Sequence, residues 1–315
     1  MILGFDIGGT KCAVITANVN GGEIKLLKKE KCATRFDISP EEMIDSLIRS
    51  AENILEGTRP EKIGISCGGP LDSRNGIILG PPNLPGWDEV HISERISRHF
   101  GVPALLQNDA NACAVAEWKF GAGMGADNMV FLTFGTGLGA ALILNGRLYT
   151  GTNDNAGEAG HIRLERFGPV GYGKAGSFEG FCSGGGIAKL GCSMALEALQ
   201  SGRQPAYFKK GMNESDVTAK AIAEAADAGD ETAINVYRVC GEHLGAGLSV
   251  LIDILNPEKI VIGSVFARSE HLLRKYAEEV IANEALPQAA KCCKIVPAEL
   301  GEKIGDYAAI ATALL

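Results

Sequence analysis

Between Phe131 and Leu144 the chain sets two apolar runs, Phe131-Leu132-Thr133-Phe134 and Leu138-Gly139-Ala140-Ala141-Leu142-Ile143-Leu144, on either side of Gly135-Thr136-Gly137. The runs have the length and composition of hairpin strands, and a turn this rich in glycine leaves its backbone N–H groups uncovered. Such a turn accepts anionic oxygens, because glycine lets the backbone approach closely and threonine adds a hydroxyl donor. A shorter version opens the chain. Ile2-Leu3-Gly4-Phe5-Asp6-Ile7-Gly8-Gly9-Thr10-Lys11 leads into Cys12-Ala13-Val14-Ile15, and Asp6-Ile7-Gly8 aligns with Thr133-Phe134-Gly135. Either turn alone reads as an ordinary tight hairpin. Two of them, the first with an acidic residue, point to two related lobes facing a shared phosphate chain.

A length of 315 residues suffices for two domains, each with its own core. Hydrophobic residues at 46% and charged residues at 22% describe a soluble globular chain. The net charge of −8 argues against nucleic acid or an anionic membrane as partner. No apolar run is long enough to span a bilayer, and strand-like sequence starts at Ile2 where a signal segment would lie. The nine cysteines are odd in number and scattered, with Cys12, Cys67, Cys113 and Cys240 in apolar surroundings. That usage reads as reduced thiols of a cytoplasmic protein, not a disulfide framework. Cys292-Cys293 has no C-x-x-C partner and is assigned no metal.

Along the chain, residues 2–35 read as a three-strand meander turning at Asn20-Gly21-Gly22. A helix is expected from Pro40 to about Glu56, with Ser39 as N-cap and Glu42 completing a capping box. Ile63–Cys67 reads as a strand entering Gly68-Gly69-Pro70, with a further strand-like stretch at 76–79. Gly80-Pro81-Pro82-Asn83-Leu84-Pro85-Gly86-Trp87 is a proline-stiffened loop carrying an amide and an indole. After a short helix at 92–100, a strand at 103–107 runs into Asn108-Asp109-Ala110-Asn111, with helix from Ala112 to Phe120. Asp109 therefore stands where a strand ends and a helix begins. Aspartate is a favoured N-cap, which explains it locally; a carboxylate at a strand's C-terminal end in an α/β protein also points at the ligand crevice. The helix amino end would favour its ionised form.

Glu158 and His161 lie three apart in Glu158-Ala159-Gly160-His161, spacing that suits one wall of a pocket. Glycine-dense sequence from Gly168 to Gly186 contains Glu179 and Ser183. Helical patterns follow at 187–200, 216–228 and 232–255, the last stopped by Asn256-Pro257. Lys259 to Phe266 reads as a buried strand, and the remainder alternates helix (270–283), strand (294–297) and helix (308–315). Alternating elements of this kind make an α/β protein of two lobes.

These residues resemble the ROK family of repressors, open reading frames and sugar kinases, within the actin-like ATPase and sugar kinase fold. Asp6-Ile7-Gly8-Gly9-Thr10-Lys11 resembles the family's first phosphate motif and Gly135-Thr136-Gly137-Leu138-Gly139 the second. Asn108-Asp109-Ala110-Asn111 is similar to the segment supplying the catalytic aspartate, and Glu158-Ala159-Gly160-His161 to the sugar-binding E-x-G-H motif. Gly263-Ser264-Val265 resembles the turn at the adenosine, where the family more often has consecutive glycines. Each motif alone is common; five in order, over essentially the whole chain, are specific. The resemblance implies a two-lobed actin-like (ribonuclease H-like) α/β fold with mixed sheets flanked by helices and an interlobe cleft. Residues 1–118 would form a small N-terminal lobe, with a C-terminal helix at about 301–315 packing back on it, and 119–300 a large C-terminal lobe.

The activity implied is transfer of the ATP γ-phosphoryl group to the 6-hydroxyl of a hexose, glucose first. N-acetylmannosamine, N-acetylglucosamine, fructose or allose are the alternative acceptors, and a non-catalytic sugar sensor the alternative of another class. Such transfer depends on positioning and charge stabilisation. By resemblance Asp109 is the catalytic base, and Gly69, Asn83, Asn108, Asp109, Glu158, His161 and Glu179 bind the sugar. Asp6, Gly8, Gly9, Thr10, Lys11, Thr136, Gly137, Gly263 and Ser264 would bind ATP, Asp6 also holding Mg²⁺. Lys11, directly after a turn, also fits a merely solvated lysine, and Trp87 is left outside the site. A homodimer is expected by resemblance.

Two departures from the family pattern carry expectations of their own. Members commonly place C-x-C-G-x-x-G-C-x-E after the E-x-G-H histidine, binding zinc. Here Val170, Tyr172 and Ser177 stand for the three cysteines, while Glu179 remains, and Cys182 is a single nearby thiol. Valine cannot ligate zinc and one histidine cannot hold a tetrahedral site, so zinc is expected to be absent and the loop to be held by packing. Family repressors carry a DNA-binding domain ahead of the first motif. With five residues before Asp6, no such domain is expected.

Overall fold

The computed structural model describes residues 1–209 and 211–315. In chain order the elements are β1 (Ile2–Ile7), β2 (Lys11–Asn20), β3 (Glu23–Ala33), α1 (Pro40–Leu55), β4 (Lys62–Cys67), β5 (Leu71–Asp72), β6 (Ile77–Ile78), α2 (Ile92–Phe100), β7 (Ala104–Asn108) and α3 (Asp109–Phe120). There follow β8 (Met129–Phe134), β9 (Leu138–Leu144), β10 (Arg147–Tyr149), β11 (Val170–Gly171), β12 (Lys174–Ala175), α4 (Phe178–Phe181), α5 (Gly184–Gln200), α6 (Ala219–Asp227) and α7 (Glu231–Leu255). The last are β13 (Lys259–Ile262), α8 (Val265–Glu284), α9 (Pro287–Cys292), β14 (Lys294–Pro297) and α10 (Ile304–Thr312). The fold is the mixed α/β class expected. Its residues divide into two compact units: 1–127 with 141–156 and 299–315, and 128–140 with 157–298.

In the first unit β1 pairs antiparallel with β2 and parallel with β4, giving the order β3-β2-β1-β4-β7. Leu3, Phe5 and Ile7 point to one face and pack with Met43, Ile44 and Leu47 of α1, period two meeting period 3.6. The other face carries α10, whose Ala309 and Ile310 pack on Ile2, Ala13 and Ile15. Gly4 and Gly64 sit opposite each other in β1 and β4. A Cβ on Gly64 would lie 2.2 Å from the Ala309 carbonyl oxygen, so only glycine lets α10 lie so close to the sheet. Ser39 and Glu42 form the expected capping box on α1.

The second unit holds β8, β13 and β14, parallel neighbours in a sheet of order β10-β9-β8-β13-β14. α7, capped by Asp230 and ended at the left-handed Asn256, packs against α8. Two local expectations need correction. β13 stops at Ile262, because Ser264 has φ +53° and starts α8 at Val265; the apolar Val265 and Phe266 are buried from a helix, not a strand. Helix α3 begins at Asp109, three residues earlier than expected, and its N-cap is Asn108.

Candidate active site

In the first unit β1 delivers Asp6 to the edge of the turn Gly8–Thr10. The Gly8 N–H donates to the Lys11 carbonyl at 3.2 Å and closes the turn. Thr34, just past β3, clasps it from outside: its hydroxyl donates to the Gly8 carbonyl at 2.5 Å and its N–H to the Thr10 carbonyl at 3.1 Å. With those carbonyls engaged, the N–H groups of Gly9 and Thr10 have no protein acceptor among the described residues. This is the state in which a turn can bind an anion. Lys11 and Thr10 are exposed beside it.

The proline loop lies against this turn. Leu84 and Trp87 are buried in the core, which anchors the loop and leaves Asn83 at its exposed tip. The indole is thus a core group. A Cβ on Gly9 would sit 2.4 Å from the Asn83 carbonyl oxygen, and one on Gly68 3.3 Å from the Asn83 amide nitrogen. A Cβ on Gly69 would lie 3.1 Å from the Asn108 amide nitrogen. Gly9, Gly69, Asn83 and Asn108 therefore converge by close backbone approach.

Asn108 caps α3, its Oδ1 accepting from the Ala110 N–H at 3.0 Å. Beneath it Gln107, buried, accepts from the Asn108 N–H and from the Asn111 amide at 3.0 Å. Asp109 is the first residue of the helix, and its Oδ1 accepts from the Ala110 N–H at 2.8 Å. Its edge meets solvent, yet protein mass around the carboxyl raises its pKa, against backbone hydrogen bonds that pull it down. Burial, then the charge of Asp109, push up the thiols of Cys67 and Cys113 and keep them protonated.

Asp6 is raised to about 6, first by burial, then by the neighbouring Asp306 carboxylate, with Asp109 adding to it. Lys29, ion-paired with Asp306, and Lys11 pull the other way. A half-buried carboxyl repelled by two others is a hard oxygen donor that a divalent cation would relieve. That fits Mg²⁺, which keeps several waters and needs few carboxylates. Among the described residues no three acidic, histidine or cysteine side chains group into a metal cage.

In the second unit the turn after β8 is built alike. Gly135 N–H donates to the Gly137 carbonyl at 3.0 Å. The first amides of α5 take its other carbonyls: Gly184 N–H to Gly135 at 2.7 Å and Gly185 N–H to Thr136 at 3.1 Å. Buried Ser183 caps α5 by accepting from the Gly186 N–H. The N–H groups of Thr136 and Gly137 have no protein acceptor among the described residues. Gly263 extends β13 through its N–H to the Leu132 carbonyl, and exposed Ser264 brings its hydroxyl within 3.9 Å of a Cβ built on Gly135. Thr136, Gly137, Gly263 and Ser264 thus surround one turn.

Glu179 joins that turn to the E-x-G-H segment. Its Oε2 accepts from the Leu138 N–H at 3.0 Å and would lie 2.7 Å from a Cβ on Gly137. Gly160 packs so tightly on Leu138 that a Cβ would reach 2.1 Å from the carbonyl oxygen. Around it a single 3-10 turn, Ala159–His161, exposes Glu158 and His161 at its two ends.

The donor set near His161 does not fit zinc. The Tyr172 ring lies edge-on to His161 at 6.3 Å, and the Ser177 hydroxyl is used by the Gly180 N–H and the Gly171 carbonyl. Packing by the substituted positions does not hold the loop either. Val170 and Tyr172 are 43% and 83% exposed; the loop packs instead through Gly168 and Gly171 on α4 and adds a hydrogen-bonded frame.

Both glycine turns thus present outward amides beside an acidic group, Asp6 in one and Glu179 in the other, within an α/β fold. The chain belongs to the ROK family, whose sequence profile matches residues 2–314. It is similar to the glucokinase of Halalkalibacterium halodurans, 33% identical over 312 residues, covering 96% of this chain and 92% of that one. The glucokinase of Thermotoga maritima is 29% identical over 305 residues, 96% and 94% of the two chains. Among solved structures, a ROK family glucokinase from Streptomyces griseus in complex with glucose and AMPPNP matches with TM-score 0.75 and 28% identity, over 99% of both chains.

Proposed function

We propose that the chain is an ATP-dependent glucokinase, transferring the γ-phosphoryl group of ATP to the 6-hydroxyl of glucose. The observation that carries this reading is geometric: the Gly8–Thr10 turn leaves the N–H groups of Gly9 and Thr10 facing outward, and Asp109 opens α3 beside the Asn108 amide. The near-full-length glucokinase relatives support the choice of acceptor.

In this reading Gly9, Thr10, Thr136 and Gly137 donate to phosphate oxygens, with Gly8 and Lys11 completing the first turn and Gly263 and Ser264 lining the adenosine side. Asp6 would hold Mg²⁺, which when bound would neutralise phosphate charge. Asn83, Asn108, Glu158, His161 and Glu179 hydrogen-bond sugar hydroxyls, with Gly69 giving room for Asn108. Such a set rejects analogues that leave polar partners unpaired. Asp109 orients the attacking hydroxyl and takes its proton. Burial raises its pKa, and position matters more than basicity for this step. The family resemblance and the net charge of −8 favour a cytoplasmic homodimer without nucleic-acid or membrane partners, and sedimentation checks the dimer.

The test is a coupled ADP-formation assay with MgATP against glucose, mannose, fructose, allose, N-acetylglucosamine and N-acetylmannosamine. Fast turnover on glucose is expected. Preference for an N-acetylated sugar would reassign the acceptor. Sugar binding without turnover on any acceptor would replace the kinase reading by a sensor.

A further inference from the structure

The loop between Ile162 and Phe178 carries the residues that stand where a zinc site would be, and it joins two of the sugar-binding candidates, His161 and Glu179. Its frame is backbone: the N–H groups of Leu164 and Glu165 donate to the Gly176 carbonyl at 2.9 and 3.0 Å, and Phe178 N–H to Ile162 at 2.8 Å. β11 and β12 form a two-residue hairpin inside it. Gly171 lies so near α4 that a Cβ would reach 2.6 Å from the Gly180 nitrogen. Tight frames of this kind leave carbonyls that need donors.

Three cations supply them. Lys174 Nζ donates to the His161 carbonyl at 2.7 Å, Lys189 Nζ to the Val170 carbonyl at 2.7 Å, and Arg163 Nη1 to the Ala175 carbonyl at 2.6 Å. None of the three is in an ion pair with a carboxylate among the described residues. Each bond spans the loop rather than a neighbouring residue, so together they tie its entrance, hairpin and exit. A charged donor makes the stronger kind of hydrogen bond, although exposure of Lys189 and Arg163 weakens theirs. Lys174 is half-buried and holds the peptide of His161 itself.

We propose that this basic triad does in this chain what a bound metal would do. It orders the 162–178 loop without zinc, and Lys174 is a positioning residue for Glu158 and His161. The positioning half rests on the sugar-binding reading of those two residues. Lys174 acts through the main chain. With the His161 carbonyl held, the 3-10 turn keeps one conformation, and both side chains start from a fixed backbone before sugar arrives. Nothing in this device competes with the phosphate turns, so its loss should be read by the sugar alone.

The experiment compares wild type, Lys174→Met, Lys174→Arg and Lys189→Met. Expected are less than one-tenth zinc per chain in purified wild type and activity indifferent to a zinc chelator. Lys174→Met should raise KM for the sugar about five- to tenfold with KM for ATP unchanged, and Lys174→Arg should restore most of it. Hydrogen exchange of amides 162–178 should rise in Lys174→Met and Lys189→Met. Stoichiometric zinc removed together with activity would overturn the metal-free reading. Equal rises in both KM values with a lowered unfolding midpoint, or no rise at all, would overturn positioning. Should wild type turn over no sugar, the kinase reading fails, while zinc content and exchange still decide whether the triad holds the loop.

Discussion

The two glycine turns do the same work with different parts. In both, the turn carbonyls are engaged from behind so that two consecutive N–H groups face outward: Gly9 and Thr10 in one, Thr136 and Gly137 in the other. The first turn is clasped by one residue, Thr34, whose hydroxyl and N–H each take a carbonyl. The second is clasped by backbone amides at the start of α5. One clasp can be undone by a side-chain change and the other cannot. The turns also differ in what their glycines make room for. Gly9 faces a main-chain oxygen of the proline loop, while Gly137 faces the mobile end of the Glu179 side chain.

The largest break of this symmetry is Asp109, the proposed base, which belongs to the first unit. Asp109→Asn should lower kcat by about 10²- to 10⁴-fold while leaving sugar affinity nearly intact, measured by single-turnover kinetics and calorimetry. Unchanged turnover would remove Asp109 from its role. Next comes the contrast between the glycines. Gly9→Ala should cost roughly 1–3 kcal/mol of fit and raise KM for sugar and ATP together, because Asn83 rides on the turn. Gly137→Ala should cost less, since a carboxylate can swing away. Equal losses would show that both turns are equally rigid.

Asp6 gives a pH test in metal-free protein. Its pKa is raised to about 6 from the usual value near 4, so the folded state binds this proton more tightly than the unfolded one. The stabilising contribution of this group is therefore greatest below pH 4, falls as pH rises toward 6, and is lost above. Asp6→Asn should unfold later than wild type at pH 8, by on the order of 1–2 kcal/mol, with the gap closing near pH 4. A gap that widened in acid would mean Asp6 is stabilised as the anion. The smallest effect is expected for Thr34→Val, which keeps the shape and loses one hydroxyl. KM for ATP should rise about fivefold and Thr34→Ser should recover it. Any matching loss in sugar affinity would tie Thr34 to the proline loop instead.

Legibility from sequence followed locality. The capping box at Ser39 and Glu42 and the stop at Asn256 were readable because each is completed within a few residues. The same local logic misplaced two boundaries. Apolar composition made Val265 and Phe266 look like a strand, and Asp109 looked like the cap that Asn108 is. Both mistakes arise where a strand passes straight into a helix, since burial demands apolar residues from either element. Gln107 and Thr34 gave no signal, because a buried amide and a threonine after a strand mean nothing until their distant partners are known.

The sequence by itself determined the two outward-facing turns, the aspartate at a strand-to-helix junction and the lack of zinc ligands around His161. These are chemical statements about residue types at short spacing. Tertiary structure alone decided what holds them: Thr34 on the first turn, the start of α5 on the second, Glu179 on Leu138, and Lys174 on the carbonyl of His161. The reason is physical. A backbone carbonyl accepts from any donor that the fold brings near, so no residue pattern announces which donor it will be.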